Sequence, residues 1–470
     1  MIKINNSLTP QKLQPKLERL FELSGQKILA IERMWDPARG TPVFTVRGRY
    51  TTRGWTEWTQ GFQFGAAILQ FDATDEGQFL KIGRCKTTDL MATHISHIGV
   101  HDHGFNSLST YGNLLRLMRE GRFPFNGWEK NFYELALKIS GAVQAARWSR
   151  TSPACRTLLP SPLSHVGGCC PRGYIYTFNG PHSLFADTIR SLRVLAVSHQ
   201  LGHILMGEMD RKISLLERLI WHADTTAAHN VYYGEGRDAY DVRGRVAHES
   251  VFNINDGNYR CPNSQQGYSP FSTWTRGLAW IICGYAEQLE FFETVGDAEL
   301  RPFGGRKSVV GMLLTAALAT ADFYIENTPT DGVPYWDTGA PGLAKLRNHL
   351  DRPADPFNDH EPVDSSAAAI AAQGLVRLGK HLGGAKGRRY YQAGLTVANT
   401  ILGDPYLSTK SGHQGLLLHS IYHRPNGWDY VPSGSKIPRG ESSMWGDYHA
   451  RELALLLLRQ AKGQKYLRFF

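Results

Sequence analysis

The sequence lacks the features that mark membrane-bound and disulfide-stabilised proteins. Its first residues do not follow the basic-then-apolar pattern of a secretory signal, and its longest apolar stretches, such as 311–323, are too short to span a bilayer. Cysteine is scarce, with six residues in a chain of 470, so we expect reduced thiols rather than a disulfide framework. These absences predict a cytoplasmic protein without a membrane partner.

The signatures of nucleic-acid, zinc and nucleotide binding are also missing. The formal charge of +10 attracts anionic partners, but the chain has no lysine-rich run, no zinc-finger spacing and no RNP-like strand. The adjacent Cys169 and Cys170 have no CxxC partner, and neither a dinucleotide fingerprint nor an intact P-loop occurs. We therefore predict no cofactor and no nucleic-acid partner, and a polyuronate fits the charge better than nucleic acid.

What the sequence does contain is a long series of helical segments. Apolar residues recur at helical spacing in twelve stretches, namely 10–33, 58–71, 76–92, 104–118, 127–147, 182–201, 206–228, 274–293, 304–326, 364–379, 387–402 and 443–460. Asp364 and Ser183 are N-cap signals for two of them. Strand patterns are few and are confined to 173–178 and to short pieces around 42–50 and 238–254.

The helix series predicts an all-α fold, because no βαβ pattern interrupts it. Twelve helices are the number needed for six helical hairpins closed into a ring, an (α/α)6 barrel, in which the loops at one end carry function. An α-solenoid is the alternative, but the sequence has no repeat of 34 or 40 residues. We expect 1–470 to form a single domain, with 149–173 as an inserted loop.

The segment THISHIGVHDHGF (93–105) concentrates histidines and an aspartate. His97 and His101 would share a helix face and His103 lies close by, which is one way to build a metal site. A glycine and β-branched neighbours weaken that helix, so a polar loop that satisfies backbone groups is the simpler interpretation, and we predict no metal. A third interpretation places Asp102 at the mouth of the barrel as a catalytic carboxylate.

Asp187 lies early in an amphipathic segment, where two effects on its pKa compete. An aspartate in the first turn of a helix is favoured by the helix dipole, which lowers its pKa and requires no further purpose. Burial beside a second carboxylate raises the pKa and would suit a general acid. The sequence alone leaves both interpretations open.

The segment 265–280 brings an amide, a guanidinium and two tryptophans to the start of a helix. Arg276 is suited to bidentate capture of a carboxylate and Trp274 to stacking on a sugar ring. Aromatic residues make up 11% of the chain, enough to line a sugar site. An aromatic core with a surface arginine is the alternative, but the polar groups precede the helix, which favours a binding site.

A series of short motifs runs from about residue 55 to the C-terminus. They are WTQGF (58–62), HDHGF (101–105), NGPH with FAD (179–187), HADTT (222–226), QGYS…WTRG…W (266–280), DGVPYWD (331–337), DSSAAAIAA (364–372), LLHS (417–420) and WGDY (445–448). Each motif alone is weakly specific. In their order and spacing they resemble glycoside hydrolase family 88, the unsaturated glucuronyl hydrolases.

The resemblance implies an (α/α)6 barrel, in agreement with the helix count, and an unusual hydrolase reaction. The substrate would carry a 4,5-unsaturated glucuronic acid, the vinyl ether that a polysaccharide lyase leaves at the non-reducing end of an acidic oligosaccharide. An aspartic acid protonates C4, and positive charge develops at C5 and the ring oxygen. Water then adds at C5, and the resulting hemiketal opens and expels the aglycone. This hydration differs from direct displacement at the anomeric carbon.

The resemblance also implies roles for individual residues. Asp187 matches the general acid, and Asp102 matches a second carboxylate that holds sugar hydroxyls and helps keep Asp187 protonated. The substrate-binding positions are Trp58, His101, Phe178, His248, Gln266, Trp274 and Arg276. Gln266 and Arg276 would hold the uronate carboxylate, His248 would approach the double bond, and the tryptophans would form walls of the pocket.

The chain departs from the pattern of the family in places. Phe178 stands where the family usually has tryptophan, so stacking at that wall would be weaker. The segments 149–173 and 425–440 would be inserted loops that rebuild the aglycone side. A sulfate site in the second loop would consist of Ser433, Ser435 and Lys436, with a solvated loop as the simpler alternative.

Other functions stay open at this point. An unsaturated rhamnogalacturonyl hydrolase of the sister family would share the fold and most of the chemistry. A toroidal polysaccharide lyase would create the unsaturated bond instead of consuming it, and a non-catalytic protein would bind uronate oligomers without turnover. The sequence does not decide between a monomer and a homodimer, or which polymer supplies the substrate.

Overall fold

Helices form where the sequence spaces its apolar residues three and four apart. The computed structural model describes residues 1–53, 57–160 and 172–470. The α-helices of these residues are α1 (Pro10–Met34), α2 (Gln60–Thr74), α3 (Gly77–Leu90), α4 (Ala92–Ile95), α5 (His103–Ser107), α6 (Asn113–Arg119), α7 (Gly127–Ala146), α8 (Thr188–Ser191), α9 (Arg193–Gln200), α10 (Leu215–His229), α11 (Thr275–Phe292), α12 (Asp297–Leu300), α13 (Gly305–Glu326), α14 (Ser365–Leu382), α15 (Gly384–Ile401) and α16 (Met444–Ala461). Most of the long helices lie within a few residues of their predicted bounds.

The two N-cap predictions have opposite outcomes. The side chain of Asp364 accepts hydrogen bonds from the backbone N–H groups of Ser366 and Ala367 at the start of α14, which confirms it as an N-cap. The prediction for Ser183 is wrong, because Ser183–Phe185 is a strand. Its ladder with Glu249–Phe252 takes the backbone groups that a helix would need, so the helix begins later than predicted.

Short antiparallel strands connect and flank the helices. They are β1 (Phe44–Val46), β2 (Arg49–Thr51), β3 (Trp148–Arg150), β4 (Gly173–Ile175), β5 (Ser183–Phe185), β6 (Ile204–Met206), β7 (Lys212–Ser214), β8 (Glu249–Phe252) and β9 (Tyr259–Asn263). They pair as β1–β2, β3–β4 and β6–β7, and as a three-stranded sheet in the order β5–β8–β9. Several were not predicted, because three-residue strands contain too little alternation to be recognised.

The long helices are arranged in an inner and an outer layer. The inner elements of the described chain are α2, α5–α6, α8–α9, α11, α14 and α16, and each contacts the next in this order. Helix α16 also packs against α2, so these elements form a closed ring. The outer helices α1, α3, α7, α10, α13 and α15 alternate with them along the chain. This arrangement is the helical toroid of six hairpins that the sequence predicts.

Helix α13 has the length and hydropathy of a membrane-spanning helix. Of the described helices it is the one that meets these criteria, and 61% of its most apolar window is buried inside the protein. It packs against α10 and α11. This burial is typical of a core helix in a globular protein.

The predicted loop at 149–173 is described at its two ends. There β3 pairs with β4, and the backbone N–H groups of Leu158 and Leu159 donate to Asp224 in α10. Residues 161–171, which include Cys169 and Cys170, lie outside the described residues. The described cysteines are free thiols, namely Cys85, Cys155, Cys261 and Cys283.

Candidate active site

Residues at or just before the N-terminal ends of several inner elements line one cavity. It encloses about 730 Å³, part of it open to solvent. The lining residues are Trp58, His97, Val100, His101, Asp102, Phe105, Phe178, Asp187, Gln265, Gln266, Trp274, Arg276, Trp280, Tyr422, His423 and Trp428. They come from the starts of α2, α5, α8 and α11 and from a loop before α16. Eight of the nine predicted site residues lie on this wall, and the exception is His248.

The two predicted catalytic carboxylates face the same histidine. Nε2 of His101 lies 3.2 Å from Oδ1 of Asp187 and 3.7 Å from Oδ1 of Asp102. Asp102 directly precedes α5 and Asp187 directly precedes α8, and these neighbouring inner helices bring the two residues together. All three side chains are buried. The structure therefore places Asp102 and Asp187 in one pocket, with the His101 imidazole between them.

The pKa directions in this cluster differ from the sequence-based expectation. Burial acts to raise the pKa of Asp187, but the hydrogen bond and charge of His101 and the charges of His248 and Arg276 hold that pKa below its ordinary value. Burial raises the pKa of Asp102 and outweighs the opposing charge of His101, while the charge of Asp187 makes a smaller contribution in the raising direction. The expected protonation of Asp187 is thus reversed, because the histidine acts on it more strongly than the second carboxylate does.

His248 lies behind Asp187 instead of on the cavity wall. Its Nδ1 accepts hydrogen bonds from the backbone N–H groups of Gln265 and Gln266, at 3.0 and 3.2 Å. The hydrogen of the neutral ring therefore resides on Nε2, which lies 4.0 Å from Oδ2 of Asp187. Burial lowers the pKa of His248 to about 4, so the ring is neutral at physiological pH. It directs an N–H group toward the carboxylate and does not reach the cavity, contrary to the prediction.

Arg276 is buried, and its terminal nitrogens are already engaged by protein groups. Nη1 donates to Oδ2 of Asp364 at 3.0 Å and to the carbonyl of Ile421. Nη2 donates to Oε1 of Gln266 at 2.9 Å and to the carbonyl of Tyr422 at 2.7 Å. The predicted bidentate contact with a carboxylate would have to displace these partners. Because Oε1 of Gln266 is occupied, its amide NH2 group is the end that is free to bind.

Aromatic rings form the remaining walls. Trp58 stacks on Trp445 at a centroid distance of 5.2 Å, and the guanidinium of Arg276 lies 4.5 Å from the ring of Trp274. Phe178 contacts His101 with ring centroids 5.8 Å apart. Trp58, Trp274 and Phe178 thus lie on the pocket wall, as predicted, and their role in binding a sugar ring stays a prediction.

Several wall residues were not among the predicted site residues. Tyr422, His423 and Trp428 come from one loop, in which the backbone N–H groups of Tyr422 and His423 donate to the buried carboxylate of Asp429. The only sequence signal for them was their place within or just before the predicted 425–440 loop. Trp280 is the last residue of the motif at 266–280, but it lies inside α11, where an apolar residue is expected to pack in the core.

His103 of the segment 93–105 is held by two hydrogen bonds to protein groups. Nδ1 of His103 bonds to Oγ of Ser140 at 2.9 Å, and Nε2 of His103 bonds to the carbonyl of His97 at 2.9 Å. The described residues contain no group of three or more histidine, cysteine or acidic side chains that would hold a metal ion. His103 therefore stabilises the turn that presents His101 and Asp102.

The three residues suggested for sulfate binding lie away from the cavity wall. Ser433 and Lys436 are exposed, and Oγ of Ser435 donates to the carbonyl of Ile437 at 2.8 Å. None of them is among the residues that line the cavity.

The described residues thus combine a ring of helical hairpins with two buried carboxylates in an aromatic pocket. The chain is 24% identical over 398 residues to the unsaturated glucuronyl hydrolase of Formosa agariphila, covering 84% of this chain and 78% of that protein. It is 30% identical over 224 residues to the unsaturated glucuronyl hydrolase of Bacillus sp. strain GL1, a match that covers 47% of this chain and 48% of that protein.

Solved structures agree with these relatives. The unsaturated glucuronyl hydrolase from Streptococcus agalactiae superposes with a TM-score of 0.68 at 18% identity, covering 100% of this chain and 99% of that one. No family model matches the chain. The chain is a homologue of the unsaturated glucuronyl hydrolases and has their fold, which confirms the resemblance drawn from its motifs.

Proposed function

We propose that this protein removes a 4,5-unsaturated glucuronic acid from the non-reducing end of acidic oligosaccharides made by polysaccharide lyases. The observation that carries the proposal is the position of Asp102 and Asp187 on either side of His101, facing one aromatic cavity. The relatives named unsaturated glucuronyl hydrolase support the same activity. The net charge of +10 favours the capture of an anionic substrate.

The reaction starts with the transfer of a proton from Asp187 to C4 of the vinyl ether. Positive charge then develops at C5 and the ring oxygen, where the nearby carboxylates stabilise it. Asp187, now a carboxylate, takes a proton from the attacking water, and the hydroxyl group bonds to C5. The resulting hemiketal opens, expels the aglycone alcohol and leaves a 5-keto sugar. The reaction consumes one water and requires no redox partner.

The other wall residues bind and orient the sugar in this proposal. Asp102 accepts hydrogen bonds from sugar hydroxyls, and the free amide NH2 of Gln266 donates to the uronate carboxylate. Arg276 holds Gln266 in place at 2.9 Å and adds buried positive charge behind it. The rings of Trp58, Phe178 and Trp274 pack on the faces of the pyranose, and His101 lies at the end of the cavity beside both carboxylates.

Further parts of the proposal concern the rest of the molecule. We expect residues 1–470 to form one catalytic domain, with the loops 149–173 and 425–440 on the aglycone side; the second loop supplies Trp428 to the wall. We keep as predictions a cytoplasmic location and a monomer or homodimer, which light scattering during gel filtration would distinguish. Activity that persists after treatment with a chelator is the result expected for a reaction without a metal or cofactor.

The decisive experiment is a panel of unsaturated disaccharides from different lyases, assayed with the purified protein. Loss of their near-ultraviolet absorbance, with release of the aglycone sugar, is the expected result. Turnover limited to unsaturated rhamnogalacturonan fragments would identify the sister activity instead. A rise in absorbance with an intact polymer would identify a lyase, and binding without turnover would exclude an enzyme of either kind.

A further inference from the structure

His101 occupies a position that a substrate-binding residue would not need. Its Nε2 faces Oδ1 of Asp187 at 3.2 Å and Oδ1 of Asp102 at 3.7 Å. Its Nδ1 is buried without a hydrogen-bond partner among the described residues. Neither ring nitrogen is therefore directed at a sugar in the cavity. Nε2 of the imidazole instead faces the two carboxylates.

The surrounding structure fixes the ring in this place. The carbonyl of His101 accepts hydrogen bonds from Nε2 of Gln144 and Oγ of Ser191, both at 2.8 Å. The ring packs against Phe178 and Phe185, with centroids at 5.8 and 5.7 Å. Because the backbone is held and the ring is packed against two aromatic side chains, Nε2 stays within reach of both carboxylates.

Charged and titratable groups face this cluster from several elements. Arg147 of the segment after α7 opposes protonation of His101, and Asp102 and Asp187 favour it, so that the pKa of His101 lies above its ordinary value despite burial. His222 of α10 and His248 of β8 are neutral at physiological pH, because burial lowers their pKa values to about 3 and about 4. Arg276 of α11 acts on Asp187 from the other side.

We propose that His101 holds the catalytic proton in the free enzyme and passes it to Asp187 when the substrate fills the cavity. His101 would thus be a positioning residue for the proton, acting through Asp187 without contacting the reacting carbon. The inference rests on the proposed function, since it supplies the general acid of that reaction. It also explains how an aspartate that is ionised in the free enzyme acts as an acid.

The transfer is balanced within the cluster. The N–H bond at Nε2 breaks, an O–H bond forms at Oδ1 of Asp187, and the imidazolium becomes the neutral Nδ1–H ring. The carboxylic O–H then rotates toward C4, and its proton forms the new C–H bond with the electron pair of the double bond. The water that adds to C5 returns a proton to Asp187, which passes it back to Nε2. No proton is gained or lost by the enzyme over one turnover.

Substrate binding provides the driving force for the transfer. A sugar that fills the cavity displaces water, and the loss of water disfavours the charged pair of imidazolium and carboxylate more than the neutral pair. Because Nδ1 has no hydrogen-bond partner among the described residues, carboxylates stabilise the imidazolium cation only at Nε2. Buried charges without full pairing are the ones that neutralise most readily.

The test is the pH dependence of kcat and kcat/KM in the variant His101→Gln. Glutamine keeps a hydrogen-bond donor but cannot store a proton, so the proton must reside on a carboxylic acid, whose ordinary pKa is lower than that of imidazole. We expect the alkaline limb of the profile to move down by at least about one pH unit. At neutral pH kcat should fall by roughly a hundredfold, with recovery toward acid pH and little change in KM. The matched control is His199→Gln, a histidine of α9 that pairs with Glu299 at 3.1 Å and contacts neither carboxylate, and its profile should keep the wild-type limb.

An unshifted limb in His101→Gln, or an increase in KM alone, would overturn the inference while the wild-type activity still supported the proposed function. If that variant does not fold, nitrogen NMR of histidine in the wild type and in Asp187→Asn gives the answer. One histidine should titrate above the ordinary value of about 6.5 in the wild type and at lower pH in the variant. The absence of such a histidine would contradict the inference even if no substrate were turned over.

Discussion

Two clusters of buried charge lie three residues apart in sequence, and they are built on different principles. The cluster at Asp187 joins two carboxylates through one imidazole. The cluster that begins at Arg190 joins guanidinium groups to carboxylates, with Nε of Arg190 2.9 Å from Glu287 and Nη2 of Arg190 3.0 Å from Glu452. Arg193 contacts the same two glutamates at 3.4 and 3.5 Å. We call the second group the arginine–glutamate cluster.

The difference between the clusters is whether a proton can move. The charge of Arg190 and Arg193 holds the pKa of Glu452 far below its usual range despite burial, and arginine does not give up its proton in a protein. The charges of this cluster are therefore permanent and fix the packing of α8, α9, α11 and α16. The imidazole at Asp187 can pass its proton to that carboxylate, so the distribution of charge within the cluster depends on what occupies the cavity, while its net charge stays the same.

Replacement of the proposed acid should produce the largest effect on activity. In Asp187→Asn the side chain keeps its size but cannot donate a proton to C4, so kcat/KM should fall by roughly a hundredfold to ten-thousandfold. The assay is the loss of absorbance of an unsaturated disaccharide, with circular dichroism to verify the fold. Asp297→Asn, at an exposed carboxylate, is the control and should retain wild-type activity. Full activity in Asp187→Asn would remove the residue from the mechanism.

The opposite pattern is expected for the arginine–glutamate cluster. Glu452→Gln removes one of the two buried carboxylates that pair with Arg190 and Arg193, so the free energy of unfolding should decrease by about 3–5 kcal/mol, as measured by urea denaturation. Activity per folded molecule should stay close to that of the wild type. Glu22→Gln removes an exposed pair and should change stability by no more than about 1 kcal/mol. A large loss of activity without loss of stability would mean that the two clusters are not independent.

The sequence predicted the ring and the composition of the pocket better than it predicted the contacts within the pocket. Regular apolar spacing made the helices visible, and the residues preceding α5 and α8 belong to motifs of a known family. The pairing of Asp102 with Asp187 was accessible only through that resemblance, because residue spacing does not reveal which helices are neighbours in a ring. The segment 182–201 was misjudged at its start because the strand there depends on pairing with a distant segment.

The sequence could not predict hydrogen bonds and charge interactions that depend on the exact positions of side-chain atoms. The sign of the pKa shift of Asp187 depends on the position of His101 relative to both carboxylates. The hydrogen-bonding capacity of the Arg276 guanidinium is used by Asp364 and by backbone carbonyl groups of the loop at 421–422, which meet it only in the folded chain. A motif identifies these residue types, but tertiary packing decides which of their atoms remain free for a substrate.

A moderate effect is expected for Asp337, which positions a substrate-binding residue and does not itself contact the substrate. Asp337 accepts hydrogen bonds from the backbone N–H groups of Tyr268 and Gly339, at 2.9 and 2.8 Å, and so holds the loop that carries Gln266. Asp337→Asn loses one acceptor, which is worth about 1 kcal/mol, so KM should rise by about fivefold while kcat changes little. Asp331→Asn, at a nearby carboxylate that accepts from Val333, should leave KM unchanged. Equal changes in both variants would indicate a general loss of stability in this region.

The smallest effect is expected at the edge of the cavity, where charge has no part. Trp428 is half-buried, lies 5.3 Å from the ring of Tyr422 and presents a face to the cavity. Because Trp428 is only half-buried, its contact should contribute the lower end of the usual range of about 0.5–1.5 kcal/mol, so Trp428→Ala should raise KM by roughly twofold. The pH profile should not change, because no proton is held there. Trp128→Ala removes a tryptophan that is 69% exposed on α7 and should alter neither parameter. A shifted pH profile in Trp428→Ala would show that the aromatic wall and the cluster at Asp187 are coupled. The shape of the cavity would then help to decide where the proton of that cluster resides.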